Sequence, residues 1–287
     1  MKTLGFGEIL YDRIEGEDYF GGAPVNVSVH LSRMGADSYI ISSLGNDDKG
    51  KEAEIILRSE NVKTDFLQLN SIYPTGIVEV TMEDGFPSYD IKKGSAWDYI
   101  HLTDKQMNKL FDIEWDLIYC GSLAQRTSSN RELLRKIIPY LKYRHFFFDV
   151  NLRQDYFSEN VIRNTIAQAT ILKMNDEELP VISELLFGEK LSIQAFFKEI
   201  SSVYNLELLV LTMGASGATI FNEEDINNPL FFPAEKVEVV DTVGAGDSFS
   251  GAFVYSYLNG ENLEIAGKKA AKLASFITGQ SGALPAY

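Results

Sequence analysis

The chain has 287 residues, 45% hydrophobic and 23% charged, and its 41 acidic against 26 basic residues give a formal net charge of −15 at pH 7. That composition supplies apolar mass for a large core. The charge excludes general nucleic-acid binding, because such a surface repels phosphate backbones, although a helix N-terminus with a few basic side chains can still form a local anion site. The one cysteine, Cys120, excludes an intrachain disulfide framework and points to a reducing cytosol. The opening MKTLGFGEIL lacks a signal-peptide pattern, and no run approaches the roughly 20 apolar residues of a membrane span. A cytoplasmic protein without a membrane partner is the expectation.

In chain order, TLGFGEIL reads as a strand over 4–10 and APVNVSVHLSRMG as a helix entered at Pro24 and closed by Gly35. A strand over 37–45 and a helix over 47–60 follow. TGIVEVTMEDGFPSYDIKK then sets Val78, Val80 and Met82 against Ile77, Glu79 and Thr81, with Asp84-Gly85 at a turn and an extended pattern over 88–92. This period of two marks a hairpin, placed within 72–100. It would either cover the C-terminal strand ends, where open α/β sheets bind ligands, or extend a sheet edge.

From residue 116 the rhythm is regular. Strands are expected over 116–121, 145–150, 170–174 and 206–214, with another ending near Val240. Helices are expected over 130–142, 159–169, 176–186, 193–202, 245–258 and 263–277. Near-continuous apolar strands between helices indicate a parallel sheet buried on both faces. With no repeat, low-complexity tract or linker, 1–287 reads as one main domain with a hairpin appendage.

The segment DTVGAGDSFSGAF, residues 241–253, runs through Gly244 and Gly246 into a helix. Free N–H groups and partial positive charge at a helix start suit an anion, and glycines permit its close approach. The spacing is neither that of a Walker A loop nor a Rossmann fingerprint, since position 249 is Phe, which disfavours a nicotinamide dehydrogenase. Asp247 has two readings on position alone. It is an electrostatically favoured acid in a first helical turn, or it is a carboxylate beside a bound phosphate, placed to take a proton from an attacking hydroxyl.

VDTVGAGDSFSGAF closely resembles the C-terminal signature of the ribokinase-like (PfkB) carbohydrate kinases, in the form D-T-x-G-A-G-D. The resemblance implies that Asp247 is the catalytic base and that the N–H groups of 243–246, at Gly244, Ala245 and Gly246 above all, form an anion hole for the transferred phosphoryl group. GGAPVNVSVHLSRMG resembles the family's N-terminal signature, with Gly21, Gly22 and Asn26 at the sugar; Asp12 matches its sugar-binding aspartate. Taken singly, Asp12 is equally a loop acid and Asn26 a polar residue at a helix start.

DVNLR, 149–153, is similar to the D-x-N-x-R segment of the fructokinase and ketodeoxygluconate kinase branches, which brings Asn151 and Arg153 to substrate or phosphates; a surface salt bridge would also explain Arg153. In KMNDEEL, Lys173, Asn175 and Glu178 fall where the family holds Mg²⁺ and phosphate, with Glu178 acting through water, and Asn175 with Glu178 also spells a capping box. In LTMGASGA, Thr212, Gly214 and Gly217 match the T-x-G-x-x-G nucleotide loop, although a strand–turn–strand link would look alike. TGQSGALP is similar to the segment that closes a monovalent-cation site. It would set carbonyls of Asp241, Val243, Ile277, Gln280 and Gly282 around K⁺, but lacks the basic residue frequent there.

The resemblance spans essentially the whole chain. It implies a three-layer α/β/α sandwich with a mostly parallel central sheet and a small β lid, closest to bacterial fructokinase-type members. The activity implied is phosphoryl transfer from ATP, with Mg²⁺, to a small sugar. The lid segment followed by GSAWDYI, together with DVNLR, favours fructose over ribose, ketodeoxygluconate or a nucleoside. A phosphosugar would need cationic anchors, for which Lys92 and Lys93 are the candidates. A silent sugar- or nucleotide-binding protein on the same fold would show decay of Asp247 or of the G-A-G turn, and both are intact. The family includes monomers and lid-to-lid dimers, and an exposed hairpin edge could pair with a second copy.

Overall fold

The computed structural model describes residues 1–83 and 86–287 (backbone only for 81–83 and 86–89); the Asp84-Gly85 turn lies outside the described residues. Strand β1 (Lys2–Phe6) is followed by β2 (Leu10–Ile14), β3 (Glu17–Gly21), α1 (Ala23–Arg33), β4 (Asp37–Gly45), α2 (Asp48–Ser59) and β5 (Lys63–Asn70). Next come β6 (Gly76–Glu83), β7 (Phe86–Ile91), α3 (Asp104–Asp112), β8 (Glu114–Gly121), α4 (Ser128–Ile137) and β9 (Lys142–Asp149). The second half runs α5 (Glu159–Ile166), β10 (Ile171–Asn175), α6 (Glu178–Phe187), α7 (Ile193–Val203), β11 (Leu208–Thr212), β12 (Ala218–Asn222), β13 (Leu230–Phe232), α8 (Ala245–Leu258) and α9 (Leu263–Thr278).

The main sheet has the order β13-β12-β11-β10-β9-β8-β1-β4-β5. Its pairs are parallel from β5 to β11, and the β11–β12 and β12–β13 pairs are antiparallel. Alternation along each central strand sends side chains to opposite faces. On β9, Phe146 and Phe148 pack with residues of α3 to α7, whereas Phe147 packs with α1, α8 and α9; Ile118 and Leu117 of β8 divide in the same way. Helix α2 adds Ala53 and Leu57 on the α1 side. These faces make the three layers, and they explain why the strands are apolar on both sides.

The second sheet has the order β3-β2-β6-β7. The expected hairpin is present as β6 against β7, but half of this sheet comes from residues 10–21. The strand expected over 4–10 is therefore two strands. β1 ends at Phe6, Gly7 lies so close to Pro24 that an added Cβ would be 2.6 Å from its Cγ, and β2 resumes in the other sheet. Leu10, Val78, Ile91, Trp97 and Leu123 form a small core under it.

Two other expectations are corrected. The helix over 130–142 stops at Ile137, because Pro139 cannot continue it; a short 3₁₀ turn over Ile138–Tyr140 leads directly into β9. No strand ends at Val240. The segment 233–240 has no regular structure, and Val239 and Val240 are exposed; the Val240 and Asp241 amides donate to the Thr278 carbonyl. Among the described residues no helix is long and apolar enough to cross a membrane.

Candidate active site

The strands β1, β9, β10 and β11 end beside the start of α8, and a cleft of about 900 Å³ opens there beneath the second sheet. Gly244 starts α8 in the left-handed region (φ 77°), and an added Cβ would lie 2.5 Å from that of Ala283, so both conformation and space demand glycine. Ala245, Gly246 and Asp247 form the first turn. No side chain caps this helix start, and Gly244, Ala245 and Gly246 line the cleft. Val243 also lines the cleft, but its amide donates to Asp241 Oδ1 at 2.9 Å.

Asp247 accepts a 2.7 Å hydrogen bond at Oδ2 from Asn26 Nδ2, a residue 221 positions earlier in the chain. Asn26 sits on α1 just inside Gly22, which has φ 117° and would meet the Glu8 carbonyl at 2.5 Å if it carried a Cβ. Asp12 of β2 lies at the same end, with Gly21 close to both its carboxylate and the Asn26 amide. Asp12, Gly22 and Asn26 line the cleft, whereas Gly21 stands behind them. Asn151 and Arg153 reach it from the loop after β9, where Asn151 takes a positive φ of 40°.

The electrostatics are dominated by burial. It pushes the Asp247 carboxyl up to about 6, the Asn26 bond opposing the rise and the Asp149 charge adding to it. Burial also raises Asp12 to about 6 and Glu8 to about 7. Arg153 lines the cleft, and its charge opposes the rise in all three. Nothing in the sequence marks Glu8, because GFGEIL reads as strand. It is 2% exposed, lines the cleft, and its Oε2 has no partner among the described residues.

The other end of the cleft is lined by Lys173, Asn175, Thr212, Gly214 and Gly217 and by parts of 234–239 and α9. Gly217 (φ 112°) has no room for a Cβ beside the Phe232 carbonyl, which fixes the turn after β11. Lys173 Nζ lies 2.7 Å from Asp149 Oδ2 and would be 3.4 Å from a Cβ on Gly246. Glu178 Oε1 accepts from the Leu152 amide and Oε2 from the Asn175 amide, while Asn175 Oδ1 accepts from the Glu178 amide. This is the reciprocal geometry of a capping box.

Among the described residues no group of three or more His, Cys, Asp or Glu is placed to hold a metal ion. Both carboxylate oxygens of Glu178 are held by backbone amides, so a Mg²⁺ ion would be met there through water, as suits a cation that keeps part of its hydration shell. The K⁺ set is partly engaged elsewhere. Of those carbonyls, that of Ile277 accepts from the Gln280 amide; the Asp241 side chain separately accepts at Oδ2 from the Gly282 amide. Asp241 is thus a clasp that ties the α8 loop to 282, and Asp241, Ile277, Gln280 and Gly282 stand outside the cleft lining. Lys92 and Lys93 are not in that lining either; Lys92 lies 3.9 Å from Asp90 and Lys93 over the Tyr156 ring.

A sheet with helices on both faces, a glycine loop at a helix start and an acid beside it define a small-molecule phosphotransferase site of the ribokinase type. The pfkB family carbohydrate kinase profile matches residues 5–286, and the chain belongs to this family of ATP-dependent sugar kinases. An uncharacterized sugar kinase from Pyrococcus horikoshii is 30% identical over 96% of this chain and 90% of its own. Its crystal structure with ATP superposes with a TM-score of 0.80, covering 99% of this chain and 94% of the other at 27% identity. A fructokinase from Vibrio alginolyticus is 28% identical over 82% of this chain and 75% of its own. The Vibrio cholerae fructokinase bound to fructose, ADP and calcium shares the fold, with a TM-score of 0.81 at 23% identity over 98% of this chain and 94% of the other.

Proposed function

We propose that the protein transfers the γ-phosphoryl group of ATP to a hydroxyl of a small uncharged sugar, with fructose the favoured acceptor. The observation that carries this reading is the Asn26–Asp247 bond, which holds a carboxylate between the glycine loop and the Asp12 end of the cleft. In this mechanism Asp247 takes the proton of the attacking hydroxyl. The hydroxyl oxygen bonds to phosphorus as the bond to the ADP oxygen breaks, and ADP leaves with that electron pair. The 244–246 loop and Arg153 meet the charge that develops on the phosphoryl oxygens. Asp12 and Asn26 orient the sugar, and Lys173, Asn175, Thr212, Gly214 and Gly217 border the nucleotide. Mg²⁺, held through water by Glu178, would neutralise phosphate charge.

The acidic character of the sugar end supports a neutral acceptor. Glu8, Asp12 and Asp247 face it with Arg153 as the cation acting on all three, and Lys92 and Lys93 lie elsewhere, so a second phosphate would meet more acidic than basic groups. Fructose is further supported by the Vibrio alginolyticus relative. The second sheet acts as a lid that closes over the sugar and excludes water, which otherwise competes as acceptor. Its edge strands β3 and β7 are where a lid-to-lid dimer would form, which sedimentation at graded concentrations tests.

Purified protein with ATP and Mg²⁺ should release ADP when given fructose, with lower kcat/KM for ribose, ketodeoxygluconate and nucleosides. ADP release unaffected by every sugar would leave a silent binding protein as the answer. A better substrate than fructose in the panel would replace fructose and keep the kinase.

A further inference from the structure

We propose that Asp149 and Tyr119 are positioning residues that hold the Lys173 ammonium beside the 244–246 loop, where it meets the charge of the phosphoryl group in transfer. Asp149 ends β9 and Lys173 lies at the centre of β10, paired in register, so their side chains share one face of the sheet. Lys173 Nζ donates to Asp149 Oδ2 at 2.7 Å, and the Tyr119 hydroxyl donates to the same oxygen at 3.0 Å. The pair is almost wholly buried, Asp149 at 1% and Lys173 at 7% exposure.

A buried ion pair is weak evidence of stability, because apolar residues of similar volume often serve as well. Its position explains it better. The pair lies on the cleft floor, and the ammonium stands beside Gly246. Burial pulls the Lys173 amine toward its neutral form, and the Asp149 carboxylate overrides that pull, so the group is held charged. The Tyr119 bond fixes the carboxylate that does this. Lys173 keeps its proton throughout transfer; it contributes position and charge, while Asp247 takes the hydroxyl proton.

This inference rests on the kinase reading, and its test separates the two. Lys173→Met, Asp149→Asn, the double variant and Tyr119→Phe are made in the full chain. Each is measured for kcat, for KM of the sugar, and for affinity toward ADP and a non-hydrolysable ATP analogue by calorimetry. Lys173→Met should lower kcat by about 10²-fold or more, as removal of an oxyanion donor does. It should also abolish any preference for the analogue over ADP. Asp149→Asn should lower kcat by about 10-fold or more through misplacement, with KM for sugar little changed. Tyr119→Phe should lower it by roughly 2- to 10-fold, the weight of one hydrogen bond. The double variant should be no slower than Lys173→Met alone, since Asp149 acts through Lys173.

Wild-type kcat in Asp149→Asn, or losses that simply multiply in the double variant, overturns the proposal. If Asp149→Asn does not fold, Tyr119→Phe combined with Lys173→Met makes the same cycle, with multiplying losses again decisive against it. If the wild type phosphorylates no sugar, the kinase reading fails. The binding arm still decides, because Asp149→Asn must then erode the analogue preference as Lys173→Met does.

Discussion

Asp247→Asn should inactivate the enzyme and stabilise the fold. The substitution keeps an oxygen for the Asn26 Nδ2 donor, and Asn26 Oδ1, which has no partner among the described residues, offers an acceptor for the new amide. What is lost is the charge. As general base, Asp247 should contribute about 10²–10⁴ in kcat, or about 3–5 kcal/mol of barrier. The same carboxylate burdens the folded state. Burial raises it from 3.8 to about 6, and the folded protein therefore holds the proton more tightly than the unfolded chain. Its ionised form weakens the fold above about pH 6, and that burden disappears as pH falls toward the unfolded value. A two-unit rise corresponds to at most about 3 kcal/mol. With relaxation of the site, about 1–2 kcal/mol of stabilisation is expected at pH 7.5, or several degrees in Tm. Steady-state ADP release and thermal unfolding at pH 7.5 and pH 4.5 measure both halves. The gain in Tm should shrink at the lower pH. Near-wild-type turnover would remove Asp247 from the base role, and a lower Tm at pH 7.5 would show that its charge is not under strain.

Activity should itself fall in acid. Protonation of Asp247 and Asp12 near 6 and Glu8 near 7 places the acid limb of kcat/KM between these values, and a profile flat from about pH 5 to pH 8 contradicts the assignment. Gly244→Ala puts a Cβ against Ala283 at a left-handed residue. It should lose about 1–2 kcal/mol from conformation alone and lower kcat more than the KM for sugar, as steady-state kinetics and denaturant unfolding will read. Arg126 forms a buried two-bond pair with Asp98 and donates to the Ile91 and Lys92 carbonyls at the foot of β7. Arg126→Met strands the Asp98 charge and should destabilise by about 3–5 kcal/mol in urea unfolding; a change below about 1 kcal/mol would show that the pair does not anchor the second sheet.

The parts legible in the sequence were those with a local signature. Helix α8 and the Asn175–Glu178 capping pair follow from short-range periodicity and spacing, and the β9 and β10 strands from apolar runs between helical patterns. Asp247 and Asn26 each had a bland reading alone, and only the long motif match brought them to one site 221 residues apart. What stayed hidden depends on tertiary packing. GFGEILYD gives no sign that the chain changes sheets after Phe6, because the break is made by Gly7 against Pro24. Glu8 consequently looked like strand. The valines at 237, 239 and 240 mimic a strand, but no neighbouring strand pairs with them, and the Val240 and Asp241 amides donate instead to the Thr278 carbonyl at the C-terminal end of α9.

Glu8, Asp12 and Asp247 share one physical condition that bears on acceptor choice. Each is a carboxyl that burial drives toward protonation, and Arg153 is the cation that opposes this in all three. Three such groups around one end of a cleft are costly for the empty protein. A polyol relieves that cost, because each hydroxyl can donate to a carboxylate or accept from a protonated carboxyl without adding charge. A phosphosugar would aggravate it by bringing further negative charge next to Asp247, raising the proton affinity of the group that must act as base. The acceptor should therefore raise Tm in proportion to its hydroxyl contacts, and a sugar phosphate should not. Thermal shifts with fructose against fructose 6-phosphate test this without turnover, and a larger shift with the phosphate would overturn the argument for a neutral acceptor.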